Sequence, residues 1–214
     1  SFKLLCLLSR LFIRQVEICS MNYVHIDNKG TPIELPQGKI VCVGRNYLDH
    51  IRELNNPIPT QSVFFIKPST CLCHVEQPLH IPSGKGEVHN ELEVALLVKN
   101  KLSNIEQFDA KRDLYGFGLG LDLTLRDVQT QLKERLEPWE RAKAFDGACP
   151  VSGFVEVGKS DLDDLSFSLE INGETRQSGH TAKMMKSVEQ LMIEISQCFT
   201  LLPGDIVMTG TPKG

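Results

Sequence analysis

The chain has 214 residues, 41% of them hydrophobic and 23% charged. That composition describes one globular domain, long enough to bury roughly 70% of its unfolded surface without a disulfide or metal staple. The net charge of −4, with no basic run, argues against nucleic acid as a partner, and no stretch approaches the apolar length of a membrane span. Seven cysteines, odd in number and scattered, read as reduced thiols rather than a secreted disulfide framework, so a cytoplasmic location is expected.

Residues 1–20 are apolar with a few cations, and Met21 opens MNYVHIDNKG as a natural start would. They read as an extension outside the fold, either non-native or a targeting segment; a mitochondrial presequence is the alternative that would change the compartment. Residues 21–38 form an N-terminal hairpin segment, with 24–26 and 32–35 flanking a turn at Asn28-Lys29-Gly30. Strands are expected at 39–43 (KIVCV), 63–66, 91–98 and 115–125, with helical spacing over 47–54, 109–114 and 128–136. Pro78, Pro82, Gly84 and Gly86 mark 77–88 as loop. Further on, 167–171, Asn172-Gly173 and 174–177 carry the clearest hairpin signal, followed by an amphipathic helix at 187–199 and a strand at 205–209. Many short strands with few helices, without regular βαβ alternation, predict an α+β, mainly β fold.

Chemistry concentrates in a few stretches. In His89-Asn90-Glu91-Leu92-Glu93, strand alternation sends Glu91 and Glu93 to one face and Leu92, Val94 and Leu96 to the other. Alone, two such carboxylates describe a solvated strand face. The segment from Gly116 to Arg126 also alternates, placing Gly116, Gly118, Gly120, Asp122, Thr124 and Arg126 together. Three glycines there point to close approach by another backbone or by a ligand. Glu91, Glu93 and Asp122 would make an all-oxygen site suited to Mg2+ or Mn2+; the competing reading simply pairs Asp122 with Arg126. On a helix over 47–54, His50 and Glu53 share a face. A carboxylate that orients a histidine can make a general base, because free imidazole titrates at about pH 6.5, although such pairs also decorate surfaces. Cys71-Leu-Cys73-His74 has neither haem nor zinc spacing and is read as structural, and Trp139 as packing.

Four ordered stretches, HNELEVALLV, GLDLTLRDVQ, PWERAKAFDGACPVSGF and DIVMTGTPKG, resemble the fumarylacetoacetate hydrolase family, above all its small acylpyruvase-type members. The likeness runs from about Lys39 to Gly214. It implies a mixed β-sandwich roll with a few flanking helices, usually a homodimer, with a divalent metal held by three carboxylates, here Glu91, Glu93 and Asp122. It also implies a lid of the GxNYxxHxxE type in which His50 and Glu53 activate water. The AKxFD-type motif promotes Lys143 as the ammonium that balances the site and steadies a substrate carboxylate or developing oxyanion. Arg45, Asn46, Arg126, Gln129 and Thr211 follow as substrate contacts.

The expectation is a Mg2+- or Mn2+-dependent enzyme that hydrolyses C–C bonds of acylpyruvate-type β-diketo acids, with oxaloacetate decarboxylation alongside. The alternatives are an isomerase or oxaloacetate keto–enol tautomerase on the same fold, or an inactive fragment that binds 2-oxo acids. A phosphatase would want a phosphate-cradling loop, which is missing from the motifs. The chain ends inside its last motif, so the catalytic domain, 39–214, is expected to be C-terminally short, less stable and weakly active.

Overall fold

The computed structural model describes residues 23–79 and 81–214; the expected extension at 1–20 lies outside the described residues. Strand β1 (Ile40–Gly44) is the apolar run at 39–43, buried throughout except at Gly44. The short helix α1 (Leu48–Glu53) follows, then β2 (Val63–Lys67) and β3 (Leu72–His74). After the loop come β4 (Val88–His89) and the fully buried β5 (Leu92–Val98). Asp109 caps α2 (Ala110–Asp113), its carboxylate accepting from the Lys111 and Arg112 N–H groups, and β6 (Leu114–Leu121) runs on from there. Next are β7 (Thr124–Leu125), α3 (Arg126–Glu134) and α4 (Glu140–Lys143). The last third holds β8 (Cys149–Val151), β9 (Val155–Glu156), the hairpin of β10 (Ser166–Ile171) and β11 (Glu174–His180), α5 (Val188–Cys198) and β12 (Ile206–Met208).

The fold is mainly β with a few helices, as anticipated. Its main sheet runs β2-β1-β12-β5-β6-β8-β3, with β9 also paired to β6. The sheet is mixed: β1 with β12 and β3 with β8 are parallel, the other pairs antiparallel. Both faces are covered, which is why its central strands read as continuous apolar runs. Val41, Val43, Val94 and Leu96 pack on one side with Leu191, Met192 and Ile195 of α5 and Phe167 and Leu169 of β10. Ile40, Cys42, Ala95, Leu97, Ile206 and Met208 fill the other. A capping box between Ser187 and Gln190 starts α5, satisfying N–H groups that the first turn would leave unpaired. Asn172 (φ 54) and Gly173 (φ 81) both take the left-handed conformation that a two-residue hairpin turn matching strand twist requires.

Three details differ from the sequence reading. The 24–35 hairpin shrinks to a single bridge, Ile26 to Pro32, with the Asp27 carboxylate accepting from the Lys29 and Thr31 N–H groups. The strand expected over 115–125 breaks after Leu121, because the ladder with β5 ends there and Thr124 and Leu125 pair instead with β4. Finally, β3, β8, β9 and α4 were not anticipated: each is two to four residues long, too short to carry a period, and Pro150 argues locally against a strand. The glycines of β6 leave room for close neighbours: a Cβ on Gly116 would lie 2.2 Å from the Val155 carbonyl oxygen, and one on Gly120 would meet the Met208 side chain at 2.9 Å.

Candidate active site

Strand register assembles the site. Leu92 pairs with Leu121 and Glu93 with Gly120, so Glu91, just before β5, lies opposite Asp122, just beyond β6. The Asp122 N–H donates to the Glu91 carbonyl at 2.8 Å. Directly opposed residues share a face, so Glu91, Glu93 and Asp122 project together, with oxygens all within 4.8 Å of one another. All three are buried.

Cations enclose this cluster. Lys143, ending α4, donates to Glu91 Oε2 and Asp122 Oδ2, each at 2.6 Å. Arg126, opening α3, donates to Glu91 Oε1 and to Gln129 Oε1. Lys67, completely buried at the end of β2, lies 2.6 Å from Asp122 Oδ1 and donates to the carbonyls of Ala148 (2.7 Å) and Leu123 (3.3 Å). Glu93 accepts from the Gly210 N–H at 2.7 Å and, unlike its two neighbours, forms no ion pair with a described residue.

The electrostatics follow. Burial pushes the Glu91 carboxyl up, but Lys143 and Arg126 outweigh it and hold the group well below the usual range. Burial and then the Asp122 charge push Glu93 well up, against the pull of the Gly210 N–H. For Lys143, burial works against the charged form, and Asp122 and Glu91 more than offset it. Three carboxylates crowded together, one without a cationic partner, form a hard-oxygen donor set that fits Mg2+ or Mn2+.

Above this floor, α1 carries His50, whose Nδ1 lies 3.1 Å from Glu53 Oε2. The helix is entered through Arg45 (φ 59) and left through Asn55 (φ 51), both left-handed. A cavity of about 270 Å³ approaches Lys143 between β2 and the α3–α4 connection, with Phe65 and Trp139 in its wall. The Lys143 ammonium sits 5.0 Å from the Phe65 ring centre and that of Lys133 5.6 Å from the Trp139 ring centre.

Residues 39–214 match the family model for the fumarylacetoacetate hydrolase C-terminal domain. The chain belongs to that family. It is 45% identical over 194 residues to oxaloacetate tautomerase YcgM of Escherichia coli (strain K12), covering 90% of this chain and 89% of that protein. The mitochondrial oxaloacetate tautomerase FAHD1 of Bos taurus is 42% identical over 176 residues, covering 82% of this chain and 80% of that protein. Among solved structures, a family protein from Yersinia pestis CO92 superposes with a TM-score of 0.86 at 44% identity, covering 90% of this chain and 89% of that one. The fumarylpyruvate hydrolase of Pseudomonas aeruginosa, solved with Mn2+ and pyruvate, gives 0.81 at 30% identity, covering 96% and 88%. These relatives turn the weight of the sequence reading from C–C hydrolysis towards its tautomerase alternative. Among the described residues no helix is long and apolar enough to cross a membrane.

Within this family fold the expected site residues separate into groups. Glu91, Glu93, Asp122, Lys143, Arg126 and Gln129 come together on the floor; His50 and Glu53 pair on α1. The Arg126 contact goes to Glu91 rather than to Asp122, whose partners are Lys143 and Lys67. Arg45 donates to the Asn56 side chain at 3.4 Å and, among the described residues, to no carboxylate. Asn46 and Thr211 are engaged elsewhere: Asn46 donates to the Thr209 carbonyl and accepts from the Lys186 N–H, while the Thr211 hydroxyl donates to the Leu92 carbonyl and accepts from Gln177. Trp139 packs edge-on against Phe65, as expected, and also carries Lys133 over its ring. Sequence reasoning missed Lys67. The signal was there: a lysine closing the apolar run Val-Phe-Phe-Ile needs a partner if that strand is buried.

Proposed function

We propose that this protein is a divalent-cation-dependent oxaloacetate keto–enol tautomerase. One observation carries the reading: Glu91, Glu93 and Asp122 are faced by Lys67, Lys143 and Arg126, three negative charges against three positive once all three carboxyls are ionised, as holding a cation requires. Adding a dication leaves the floor net positive, which favours an anionic 2-oxo acid such as oxaloacetate. The identity to oxaloacetate tautomerases supports the same choice.

A divalent cation held by Glu91, Glu93 and Asp122 would supply Lewis acidity toward the 2-oxo group. The chain's own residues then handle the proton. Glu53 fixes the His50 ring through Nδ1, leaving Nε2 to take a proton from C3. The electron pair of that C–H bond becomes the C2=C3 bond, and charge moves onto the C2 oxygen, where the Lys143 ammonium donates a hydrogen bond to it. Returning the proton to that oxygen completes the enol, and no water is consumed. C–C hydrolysis of an acylpyruvate would instead use His50 to activate water, a second reading supported by the fold shared with the fumarylpyruvate hydrolase.

The test is keto–enol exchange of oxaloacetate followed by NMR, with and without Mg2+ or Mn2+, beside a cleavage assay on acetylpyruvate. Metal-dependent acceleration of the exchange is expected. Cleavage of acetylpyruvate without faster exchange would replace this reading by the hydrolase.

A further inference from the structure

Four cations lie near enough at the site to act on one another, Arg126 and Lys143 on the floor with Arg45 and Lys133 beside them, and among the described residues two of the four have carboxylate counter-ions. Arg126 and Lys143 are spent on Glu91. Among the described residues, the Arg45 guanidinium has an amide oxygen at 3.4 Å and no carboxylate at ion-pair distance. Lys133 lies over the Trp139 ring, and no described carboxylate comes within ion-pair distance of it; Glu134, Glu137 and Glu140, its acidic neighbours in sequence, are exposed. Arg126, Gln129 and Lys133 are spaced i, i+3 and i+7 along α3, so the side of the helix that presents Arg126 to Glu91 also presents Lys133.

The position of Lys133 is unusual for a lysine. It is half-buried, although lysine normally keeps its ammonium in water. Burial first, then the charges of Arg45, Arg126 and Lys143, lower its pKa. An ammonium held in a like-charged field that Glu91 only partly offsets, steadied by an aromatic face and with no described carboxylate at ion-pair distance, is stabilised by any anion that arrives beside it.

We propose that Lys133, with Arg45, receives the distal carboxylate of a dicarboxylic 2-oxo acid and so sets the preference for dianionic over monoanionic substrates. The assignment rests on the 2-oxo-acid reading of the floor. Division of labour is the physical reason: Lys143, Arg126 and the carboxylates serve the end of the substrate that reacts, and cations already paired to Glu91 are poor receptors for a second carboxylate. Trp139 fixes the ammonium at the rim, where the far end of the substrate would lie.

The test uses the full chain with Mn2+, comparing wild type, Lys133→Gln and Lys133→Arg. Oxaloacetate is the two-carboxylate probe, acetylpyruvate the one-carboxylate probe, the latter read as substrate or as competitive inhibitor, and malate binding is measured by calorimetry as a non-reacting check. Lys133→Gln is expected to raise KM for oxaloacetate and weaken malate roughly 10- to 100-fold, the worth of one charged hydrogen bond, with kcat nearly unchanged. The constant for acetylpyruvate should stay put, and Lys133→Arg should recover most of the loss. Unchanged KM for oxaloacetate, or equal losses for both probes, would overturn the role of Lys133 while leaving the tautomerase reading intact. A wild-type protein that neither accelerates nor binds either probe would overturn both.

Discussion

Glu91, Glu93 and Asp122 are gripped from the sheet on several sides, whereas His50 and Glu53 stand on a six-residue helix tied to the fold at its two ends. On the floor, register, two buried lysines, an arginine and the Gly210 N–H hold the carboxylates from several directions. Over it, α1 is bracketed by left-handed Arg45 and Asn55 and moored by Asn46 before its start, while Ser62 ties down the end of the segment that follows it. The contrast separates two tasks. On the proposed reading the floor fixes charge and would hold the cation, while α1 would bring a proton-transfer group from a separate element. Changes to the floor should therefore cost stability, metal and activity together, and changes to the helix activity alone.

Asp122→Asn gives the largest effect. It strips Lys67 and Lys143 of a buried partner, and breaking such a pair costs about 3–5 kcal/mol. Chemical denaturation should show that loss, calorimetry with Mn2+ should show no binding, and tautomerase activity should fall to background. A variant as stable as wild type would mean the buried charges are not coupled as the distances imply.

His50→Ala comes next and probes the other region. Removing a positioned acid–base group typically costs about 10²–10⁴-fold, and that loss is expected in kcat with Mn2+ affinity and melting temperature close to wild type. Parallel loss of metal binding would erase the distinction between floor and covering helix.

Asn46→Ala tests the mooring. Its removal leaves the buried Thr209 carbonyl and the Lys186 N–H unpaired, at about 1–3 kcal/mol. A fall in kcat for oxaloacetate with KM little changed is expected from a displaced α1. If KM rises while stability holds, Asn46 touches substrate, as the family resemblance implies.

The two regions were unequally legible in the sequence. Alternation in 89–93 and 116–126 placed the carboxylates on common faces before any contact was known, and the i, i+3 spacing of His50 and Glu53 revealed the pair on α1. What joins them was not legible. Nothing local says that Leu92 pairs with Leu121, which is what sets Glu91 opposite Asp122. The partners of Asn46 lie 140 and 163 residues away, and Lys67 meets Asp122 across the sheet. Residue types announce chemistry locally, but the counter-charges and moorings that make it work are set by non-local register.

The smallest expected effect concerns the outer mooring. Glu194 of α5 accepts from the Ser62 hydroxyl at 2.7 Å and from Lys186, tying the end of the segment after α1 to the helix beneath. Burial pushes its carboxyl up, but the hydrogen bonds from Lys186 and Ser62 prevail and hold it below the ordinary value of 4.5. A carboxylate with a depressed folded-state pKa stabilises the fold above its unfolded value and loses that contribution as pH falls through the folded one. Glu194→Gln should therefore be less stable than wild type at neutral pH, by no more than about 1 kcal/mol because the pair is partly solvated. The two stability curves should begin to converge as pH drops below 4.5 and meet once the wild-type carboxyl is protonated. Thermal melts from pH 3 to 7 check this, and a gap that stays constant across the range would show that Glu194 acts by shape rather than by charge.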